Sequence, residues 1–236
     1  PVTGVSSANA RNAVIFSPHP RTAKTTFEMV EAMRDACEAA GAPRDLFQSI
    51  RHPSIPLTQY LMEICDLTLA TGGKPMVKAA YSSGKPAYGV GAGNSSIVID
   101  ETADVAIAAQ NTRISKTSDF GSGCSADGNI IIQKSIYQDM IAALINEGGY
   151  LCDQSEKDLL EKAMWDEKGN RTFPTIACKP QQTADVAGFS IPDDRKFLMV
   201  DNQGLIGENF KFCKEKLTTL MSLYRFDEFD EALTIV

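Results

Sequence analysis

The sequence predicts an α/β fold whose sheets are mainly parallel, and two observations support this class. Short apolar runs of strand type alternate with longer amphipathic segments whose apolar residues recur at helical spacing. Gly or Pro residues separate most of these segments. Strands that alternate with helices need crossover connections, which are right-handed and leave neighbouring strands parallel. Open sheets of this kind bind ligands beyond the carboxyl ends of their strands.

The first hundred residues carry this alternation most clearly. Predicted strands cover residues 12–17, 46–50, 67–71, 85–90 and 96–100. Predicted helices cover residues 22–40, 54–64 and 75–82, with Ser54 as the N-cap of the second. The turn at Thr71, Gly72 and Gly73 opens the third helix, where free N–H groups and the positive helix end suit a phosphate. A plain strand–helix turn explains these residues equally well. The later turn at Gly91 is not a G-x-G-x-x-G fingerprint, because it lacks the third glycine and precedes a strand.

The second half of the chain continues in the same manner. Predicted helices cover residues 103–115, 137–147, 156–165 and 226–233. Predicted strands cover residues 129–133, 196–200 and 217–224. The sequence contains no internal repeat or low-complexity segment, so the same α/β pattern describes the whole chain.

Composition excludes several classes of protein. The 236 residues are 43% hydrophobic and 22% charged, with a mean hydropathy of −0.15, which is ordinary for a globular protein. No apolar stretch reaches the roughly 20 residues of a membrane span, and no signal-peptide pattern opens the chain. A net charge of −7 argues against nucleic acid or an anionic membrane as the main partner. We therefore expect neither partner.

The cysteines and histidines bear on the compartment and on metal binding. Six cysteines are spread through the chain without a CxxC pair, which favours reduced thiols in the cytoplasm over a disulfide framework. The two histidines, His19 and His52, are isolated, so no metal site is predicted. Both lie in a different kind of segment from Cys124, which disfavours a Cys–His dyad.

Cys124 is the candidate nucleophile. Every residue within two positions of it is Gly, Ser or Ala, so no apolar side chain encloses the thiol. A substrate and backbone N–H groups therefore have room to approach the sulfur. On these residues alone, a Gly/Ser-rich loop that happens to contain a structural cysteine remains the alternative.

Six segments occur in order along nearly the whole chain. They are residues 11–21 (RNAVIFSPHPR), 69–73 (LATGG), 76–86 (MVKAAYSSGKP), 89–94 (GVGAGN), 115–124 (SKTSDFGSGC) and 214–217 (KEKL). Together they resemble the CoA-acylating aldehyde dehydrogenases, the branch of the aldehyde dehydrogenase superfamily that includes the acetaldehyde and propionaldehyde enzymes. The resemblance implies two three-layer α/β/α open-sheet domains with mainly parallel strands. Residues 1–92 would be part of the Rossmann-like, nicotinamide cofactor-binding domain, and residues 93–236 the catalytic domain with the nucleophilic cysteine.

The resemblance also implies roles for individual residues. Cys124 matches the nucleophile of the family. Glu215 matches the glutamate that hydrogen-bonds the nicotinamide-side ribose, although by itself it reads as a solvated charge in the run 211–216. The other implied cofactor-binding residues lie at strand ends and turns: Ser17, Pro18 and His19 near the adenosine half, Thr71, Gly72 and Gly73 at the pyrophosphate, and Gly91.

The implied reaction oxidises a short aldehyde to its acyl-CoA, with NAD or NADP as cofactor and coenzyme A as co-substrate. Cys124 adds to the aldehyde, and oxidation leaves a thioester on the same cysteine. Hydrolytic aldehyde dehydrogenases activate water with a glutamate at the position that matches Gly89, and a glycine supplies no such base. A thiol acceptor, coenzyme A, is then favoured over water. Acetaldehyde is the default substrate, and sulfoacetaldehyde is a competitor.

Two alternatives stay open beside this interpretation. One is a hydrolytic aldehyde dehydrogenase with another base, and the other is a non-catalytic nucleotide-binding fragment in which Cys124 is structural. The family further implies a homodimer or higher homo-oligomer. In one departure from the family, the asparagine that helps to hold the oxyanion would fall on Gly4, and the helix expected there is too short. We therefore expect the chain to be roughly the central half of an enzyme.

Overall fold

The predicted α/β class with parallel sheets is confirmed. The computed structural model describes residues 2–207 and 209–236, and every pairing between its named strands is parallel. The chain divides into two compact units, Pro1–Gly91 and Ala92–Val236.

The first unit contains four helices and four short strands among its described residues. In chain order they are α1 (Val2–Asn9), β1 (Val14–Phe16), α2 (Ala23–Ala39), β2 (Phe47–Ser49), α3 (Ile55–Ile64), β3 (Thr68–Thr71), α4 (Lys74–Tyr81) and β4 (Ala87–Val90). Strand β1 pairs with β2, and β3 pairs with β4. The order of strands and helices from β1 to β4 is the one predicted from the sequence.

Two local features of this unit show how its sequence shapes it. The Oγ of Ser54 accepts a hydrogen bond from the N–H of Leu57 at 3.3 Å, so the predicted N-cap of α3 is confirmed. Helix α1 has eight residues and lies where the family resemblance implies a longer helix. It crosses β1 closely at Gly4, where an added Cβ would lie 2.7 Å from the ring of Phe16. Gly4 therefore allows the helix to pack against the strand.

The second unit is a three-layer arrangement around one five-stranded sheet. Its elements are β5 (Ser95–Ile99), α5 (Val105–Thr117), β6 (Asp127–Gln133), α6 (Tyr137–Asn146), β7 (Gly149–Leu151), α7 (Gln154–Met164), α8 (Pro180–Ala187), β8 (Phe197–Asp201), β9 (Leu220–Phe226) and α9 (Phe229–Ile235). The strand order is β5-β6-β9-β8-β7. Strand β6, which follows the Cys124 loop, is therefore an interior strand beside β9.

Both faces of this sheet are covered by helices. On one face, Ile130 and Phe197 pack with Met140 and Leu144 of α6, and all four are fully buried. On the other face, the strand residues of alternate register pack with α7 and α8. Strands buried on both faces are near-continuously apolar, as the run of three isoleucines in β6 illustrates.

Within the described residues, none of the helices has both the length and the apolar character that crossing a membrane requires.

Candidate active site

The nucleophile candidate lies on a loop between a helix and an interior strand. Cys124 follows α5 and precedes β6, its thiol is free, and its side chain is exposed. Among the hydrogen bonds of the described residues, none uses the N–H of Cys124. A free N–H beside a reactive thiol is able to donate to an oxyanion that forms on the carbon attacked by the sulfur. The exposure of the thiol contradicts the alternative of a buried structural cysteine.

The loop reaches this position through three successive residues in the left-handed region. The φ angles are 47° at Asp119, 52° at Phe120 and 66° at Gly121. At Gly121 the backbone also leaves no room for a side chain, because an added Cβ would lie 2.5 Å from the carbonyl oxygen of Thr218. By contrast, an added Cβ at Gly123 would meet nothing within 4 Å. Left-handed conformations of residues other than glycine cost about 1–3 kcal/mol each, so the surrounding structure holds this loop in place.

Ser115 and Asp127 connect the two ends of the loop. The Oγ of Ser115 donates to Oδ1 of Asp127 at 2.9 Å, and the N–H of Asp127 donates to the same Oγ at 3.1 Å. Asp127 is only 8% exposed, and burial raises the pKa of its carboxyl group, while the Ser115 hydroxyl opposes that rise. The pair therefore fixes the span of chain that carries Cys124.

A buried lysine links the beginning of β6 to the segment before β9. Lys216 is 1% exposed, and its Nζ donates to the carbonyl oxygen of Gly128 at 2.9 Å and to Oδ1 of Asn129 at 2.7 Å. Burial lowers the pKa of Lys216 well below its ordinary value. The Asn94 side chain covers Gly128, where an added Cβ would collide with it. These contacts tie the end of the Cys124 loop to the segment that carries Glu215.

Glu215 and Lys116 carry opposite charges, and each affects the pKa of the other. Lys116, at the end of α5, is 1% exposed, and burial lowers its pKa to about 8 against the opposing pull of Asp127 and Glu215. Burial raises the pKa of the half-buried Glu215, and Lys116 counteracts that rise. The solvated-charge interpretation of the run 211–216 is therefore wrong for Lys216, whereas Glu215 is half-buried.

Arg171 holds the same segment from the other side. Its Nε donates to the carbonyl oxygen of Lys216 at 2.8 Å, and its terminal nitrogens donate to the carbonyl oxygen and hydroxyl of Thr175 and to the carbonyl oxygen of Met164. The guanidinium also lies 5.0 Å from the ring centre of Trp165. Burial lowers the pKa of Arg171 to about 10. Five donors in a fixed planar group suit this role, because each backbone acceptor is satisfied in one geometry.

Two of the cofactor-binding candidates share a cavity in the first unit. The cavity has a volume of about 160 Å³ and is lined by residues of β1, α3, β3 and α4, among them Ser17 and Thr71. The hydroxyls of Ser17 and Thr58 are 2.7 Å apart across its wall. The lining includes every residue of β3, from Thr68 to Thr71, so the cavity runs along this strand and reaches Ser17 after β1.

The turn after β3 opens α4 with an uncapped N-terminus. Gly73 is the N-cap of α4 and makes no side-chain cap, and an added Cβ on it would meet only Pro75 at 3.7 Å. The N–H of Gly72 is not free, because it donates to the carbonyl oxygen of Val90 at 3.0 Å. An uncapped helix N-terminus beside a cavity fits an anionic cofactor group. Gly91 follows β4 at the end of the first unit.

The last two candidates lie beyond the end of β1. Pro18 and His19 connect that strand to a short 3₁₀ turn, where Nδ1 of His19 accepts the N–H of Arg21 at 3.2 Å. Neither residue is among those that line the cavity. Ser17 and Thr71 thus line one cavity, whereas Pro18 and His19 lie outside its lining.

Sequence reasoning missed the polar residues that support the loop. Lys116, Asp127 and Lys216 are buried, and Ser115 and Arg171 are partly buried. Ser115 and Lys116 belong to one of the six family-like segments, but nothing in its spacing reveals burial. Within the described residues, no group of three or more His, Cys, Asp or Glu side chains is placed to hold a metal ion.

Comparisons with known proteins give a consistent result. Residues 5–151 match the model of the aldehyde dehydrogenase family. The chain is 41% identical over 237 aligned residues to a sulfoacetaldehyde dehydrogenase of Acholeplasma sp., and the alignment covers 99% of this chain and 49% of that protein. The chain thus spans about half the length of that relative.

Solved structures also resemble the chain. An acetylating aldehyde dehydrogenase from Geobacillus thermoglucosidasius superposes with a TM-score of 0.92 at 38% identity, over 98% of this chain and 51% of that one. A propionaldehyde dehydrogenase from Rhodopseudomonas palustris, with bound CoA and an acylated cysteine, gives a TM-score of 0.83 at 28% identity, over 95% of this chain and 51% of that one.

Proposed function

The chain belongs to the aldehyde dehydrogenase family, and from this premise we propose that its full-length protein is a CoA-acylating aldehyde dehydrogenase. The enzyme would oxidise a short aldehyde to its acyl-CoA with a nicotinamide cofactor, through a thioester on Cys124. Acetaldehyde and sulfoacetaldehyde are the first substrates to compare. Because the family resemblance implies it, we also propose a homodimer or higher homo-oligomer.

One observation carries this proposal. Cys124 is an exposed free thiol on a loop whose two ends are fixed by hydrogen bonds. The backbone N–H of Cys124 is free to donate a hydrogen bond. A structural cysteine is usually buried and packed, as Cys152 and Cys178 are in the same unit. Exposure combined with a rigid support is the arrangement a nucleophile requires.

The chemistry follows from the groups around this thiol. The Cys124 thiolate attacks the aldehyde carbon and forms a thiohemiacetal. The N–H of Cys124 is free to donate a hydrogen bond to the oxyanion of this intermediate. A nicotinamide cofactor, when bound, supplies the acceptor for the hydride lost by this carbon. The turn at residues 71–73 and the cavity at Ser17 and Thr71 would hold its phosphates and adenosine half. Glu215 would accept hydrogen bonds from a ribose.

The acceptor of the acyl group distinguishes this reaction from a hydrolytic one. Release to coenzyme A forms a bond between the acyl carbon and the CoA sulfur and breaks the bond to Cys124, which leaves as a thiolate. Release to water needs a base that removes a proton from the attacking water. Gly89 provides no such base at the position where hydrolytic relatives carry a glutamate. The proposal therefore favours CoA.

The test is made on the full-length protein. Aldehyde is mixed with NAD+ or NADP+, with and without CoA, and the absorbance of the reduced cofactor is followed. We expect multiple turnovers only when CoA is present. The cofactor that supports the higher activity identifies the preference of the enzyme for NAD+ or NADP+. Cys124→Ala should abolish turnover, whereas Cys37→Ser, in α2 of the other unit, should not. Turnover that ignores CoA would refute the acylating assignment.

A further inference from the structure

One buried lysine beside the Cys124 loop has no hydrogen-bond acceptor. Lys116 lies in the last turn of α5 and is 1% exposed. Its Nζ makes no hydrogen bond or ion pair with any of the described residues. The other buried lysines described in the second unit, Lys157 and Lys216, both donate to backbone carbonyl oxygens. Lysine is almost never fully buried without a partner, so the ammonium of Lys116 needs an explanation beyond the packing of the chain.

A carboxylate that interacts with this lysine is also unpaired. Glu215 is half-buried, lies shortly before β9, and forms no hydrogen bond or ion pair with a described residue. The two groups nevertheless interact electrostatically, since each shifts the pKa of the other. An ammonium and a carboxylate that attract each other without forming an ion pair leave a gap between them.

Three further charged groups act on Lys116, and each of them already has a hydrogen-bond partner. Asp127 in β6 attracts it and accepts a serine hydroxyl. Arg171 repels it and donates to backbone carbonyl oxygens. Lys216 also repels it and donates to two acceptors in β6. Of these five charged groups, Lys116 and Glu215 are thus the two that remain available to a ligand.

A hydroxyl group matches a gap between an ammonium and a carboxylate. Its oxygen accepts a hydrogen bond from the ammonium, and its hydrogen is donated to the carboxylate. A carboxylate ligand only accepts and an ammonium ligand only donates, so neither suits both residues. Two neighbouring hydroxyls, as in a sugar, offer one group to each residue. The partly exposed Glu215 gives such a ligand access, and the ammonium of Lys116 lies deeper.

We propose that Lys116 is a second binding residue for the nicotinamide-side ribose, donating a hydrogen bond to the hydroxyl groups that Glu215 accepts. The backbone of Lys116 also contacts the nucleophile loop, because an added Cβ on Gly121 would lie 2.9 Å from its carbonyl oxygen. A ribose held here therefore lies beside the loop that carries Cys124. This inference rests on the proposed function, since that function supplies the ligand that carries the ribose.

The first test uses the full-length protein without cofactor. Lys116→Met replaces an unpaired buried charge with an apolar chain of similar length, so the melting temperature should rise by about 1–3 °C at pH 7. Lys216→Met is the matched comparison and should lower it, because that lysine is hydrogen-bonded. Residues kept for binding commonly cost stability in this way. An equal fall in both variants would show that Lys116 supports the fold, and it would overturn the inference.

The gain from Lys116→Met should depend on pH. Burial lowers the pKa of Lys116 to about 8 in the folded protein, whereas an unfolded lysine has a pKa of about 10.4. The charged lysine therefore destabilises the folded state fully below about pH 8, and this penalty disappears as the pH rises towards the unfolded value. The advantage of the variant should be largest at pH 7 and shrink between about pH 8 and 10.

The second test measures binding directly. The Kd values of NADH and NADPH are obtained from the fluorescence of the reduced nicotinamide, and the Kd of CoA from calorimetry. Lys116→Met should raise the Kd of the preferred cofactor about tenfold and leave that of CoA unchanged, because one hydrogen bond from a charged donor is lost. Combined with Glu215→Gln, it should lose less affinity than the product of the two single losses, since both residues bind one diol. Lys157→Met is the control, because its ammonium is already bound to the carbonyl oxygen of Asp201.

The outcomes separate this inference from the proposed function. An unchanged cofactor Kd in Lys116→Met, or a loss of CoA affinity in its place, would overturn the inference. A wild-type protein that binds neither NADH nor NADPH would instead refute the proposed function. The melting temperatures of Lys116→Met and Lys216→Met would still decide whether Lys116 serves the fold.

Discussion

Replacing Ser115 by Ala should loosen the loop that carries Cys124 and destabilise the protein. The substitution removes both hydrogen bonds between Ser115 and Asp127, one at 2.9 Å to the carboxylate and one at 3.1 Å from the backbone N–H. Asp127 is 8% exposed, so water replaces these partners poorly.

The expected magnitude follows from the two lost bonds. A hydrogen bond to a charged group contributes about 2 kcal/mol, and an N–H left without its acceptor costs about 1 kcal/mol more. The free energy of unfolding should therefore fall by about 3 kcal/mol at neutral pH, with an unchanged denaturant slope. Thr234→Ala is the matched control, because its exposed hydroxyl donates only to the carbonyl oxygen of Asp230 within α9.

The loss should also depend on pH in a definite direction. Burial raises the pKa of Asp127 in the folded protein, and the Ser115 hydroxyl opposes this rise, so Ser115→Ala raises the pKa further. A carboxyl group with a raised folded pKa contributes stability below its unfolded pKa and loses it as the pH rises through the folded value. The difference between variant and wild type should thus be largest at neutral pH and shrink towards about pH 4, near the unfolded value.

Denaturant unfolding of the full-length protein at several pH values measures both effects. The rate of Cys124 alkylation reports on the loop, and it should change in Ser115→Ala but not in Thr234→Ala. A stability loss equal to that of the control, or a loss that grows as the pH falls, would refute this account of the pair.

Three further predictions test the support of the loop. Gly121→Ala should destabilise by about 2–4 kcal/mol and reduce activity at least about tenfold, because it combines strain at a positive φ with a backbone collision, whereas Gly123→Ala should be nearly neutral in unfolding assays. Lys216→Met should cost about 2–4 kcal/mol of stability by removing two hydrogen bonds to buried acceptors, and it should raise the KM for the nicotinamide cofactor more than that for the aldehyde. A limiting alkylating agent followed by peptide mass spectrometry should modify Cys124 before Cys152, whose pKa burial raises to about 12; equal labelling of the two would contradict the exposed-nucleophile assignment.

Much of the fold could be predicted because its signals are local. The cap at Ser54 and the apolar spacing behind it specify α3 within a few residues of chain. Two elements of the second unit escaped because their signals are weak locally. Strand β7 has three residues and begins at Gly149, and α8 has a polar sequence whose Thr183, Ala184 and Ala187 are buried only by their neighbours.

Some features of the candidate site likewise follow from the sequence, and others depend on the tertiary structure. The sequence by itself determined the parallel α/β class, the small-residue surroundings of Cys124 and the glycine at position 89, since each is a matter of residue type and spacing. Only the tertiary structure decided that Lys216 is buried under the loop and that Thr218 leaves no room for a side chain at Gly121. Burial and collision arise between segments that the fold brings together, as with Lys216 and Gly128, 88 residues apart in the chain. The sequence does not show whether water or backbone carbonyl groups surround a charged side chain. The free energy of the charged form differs between these two environments.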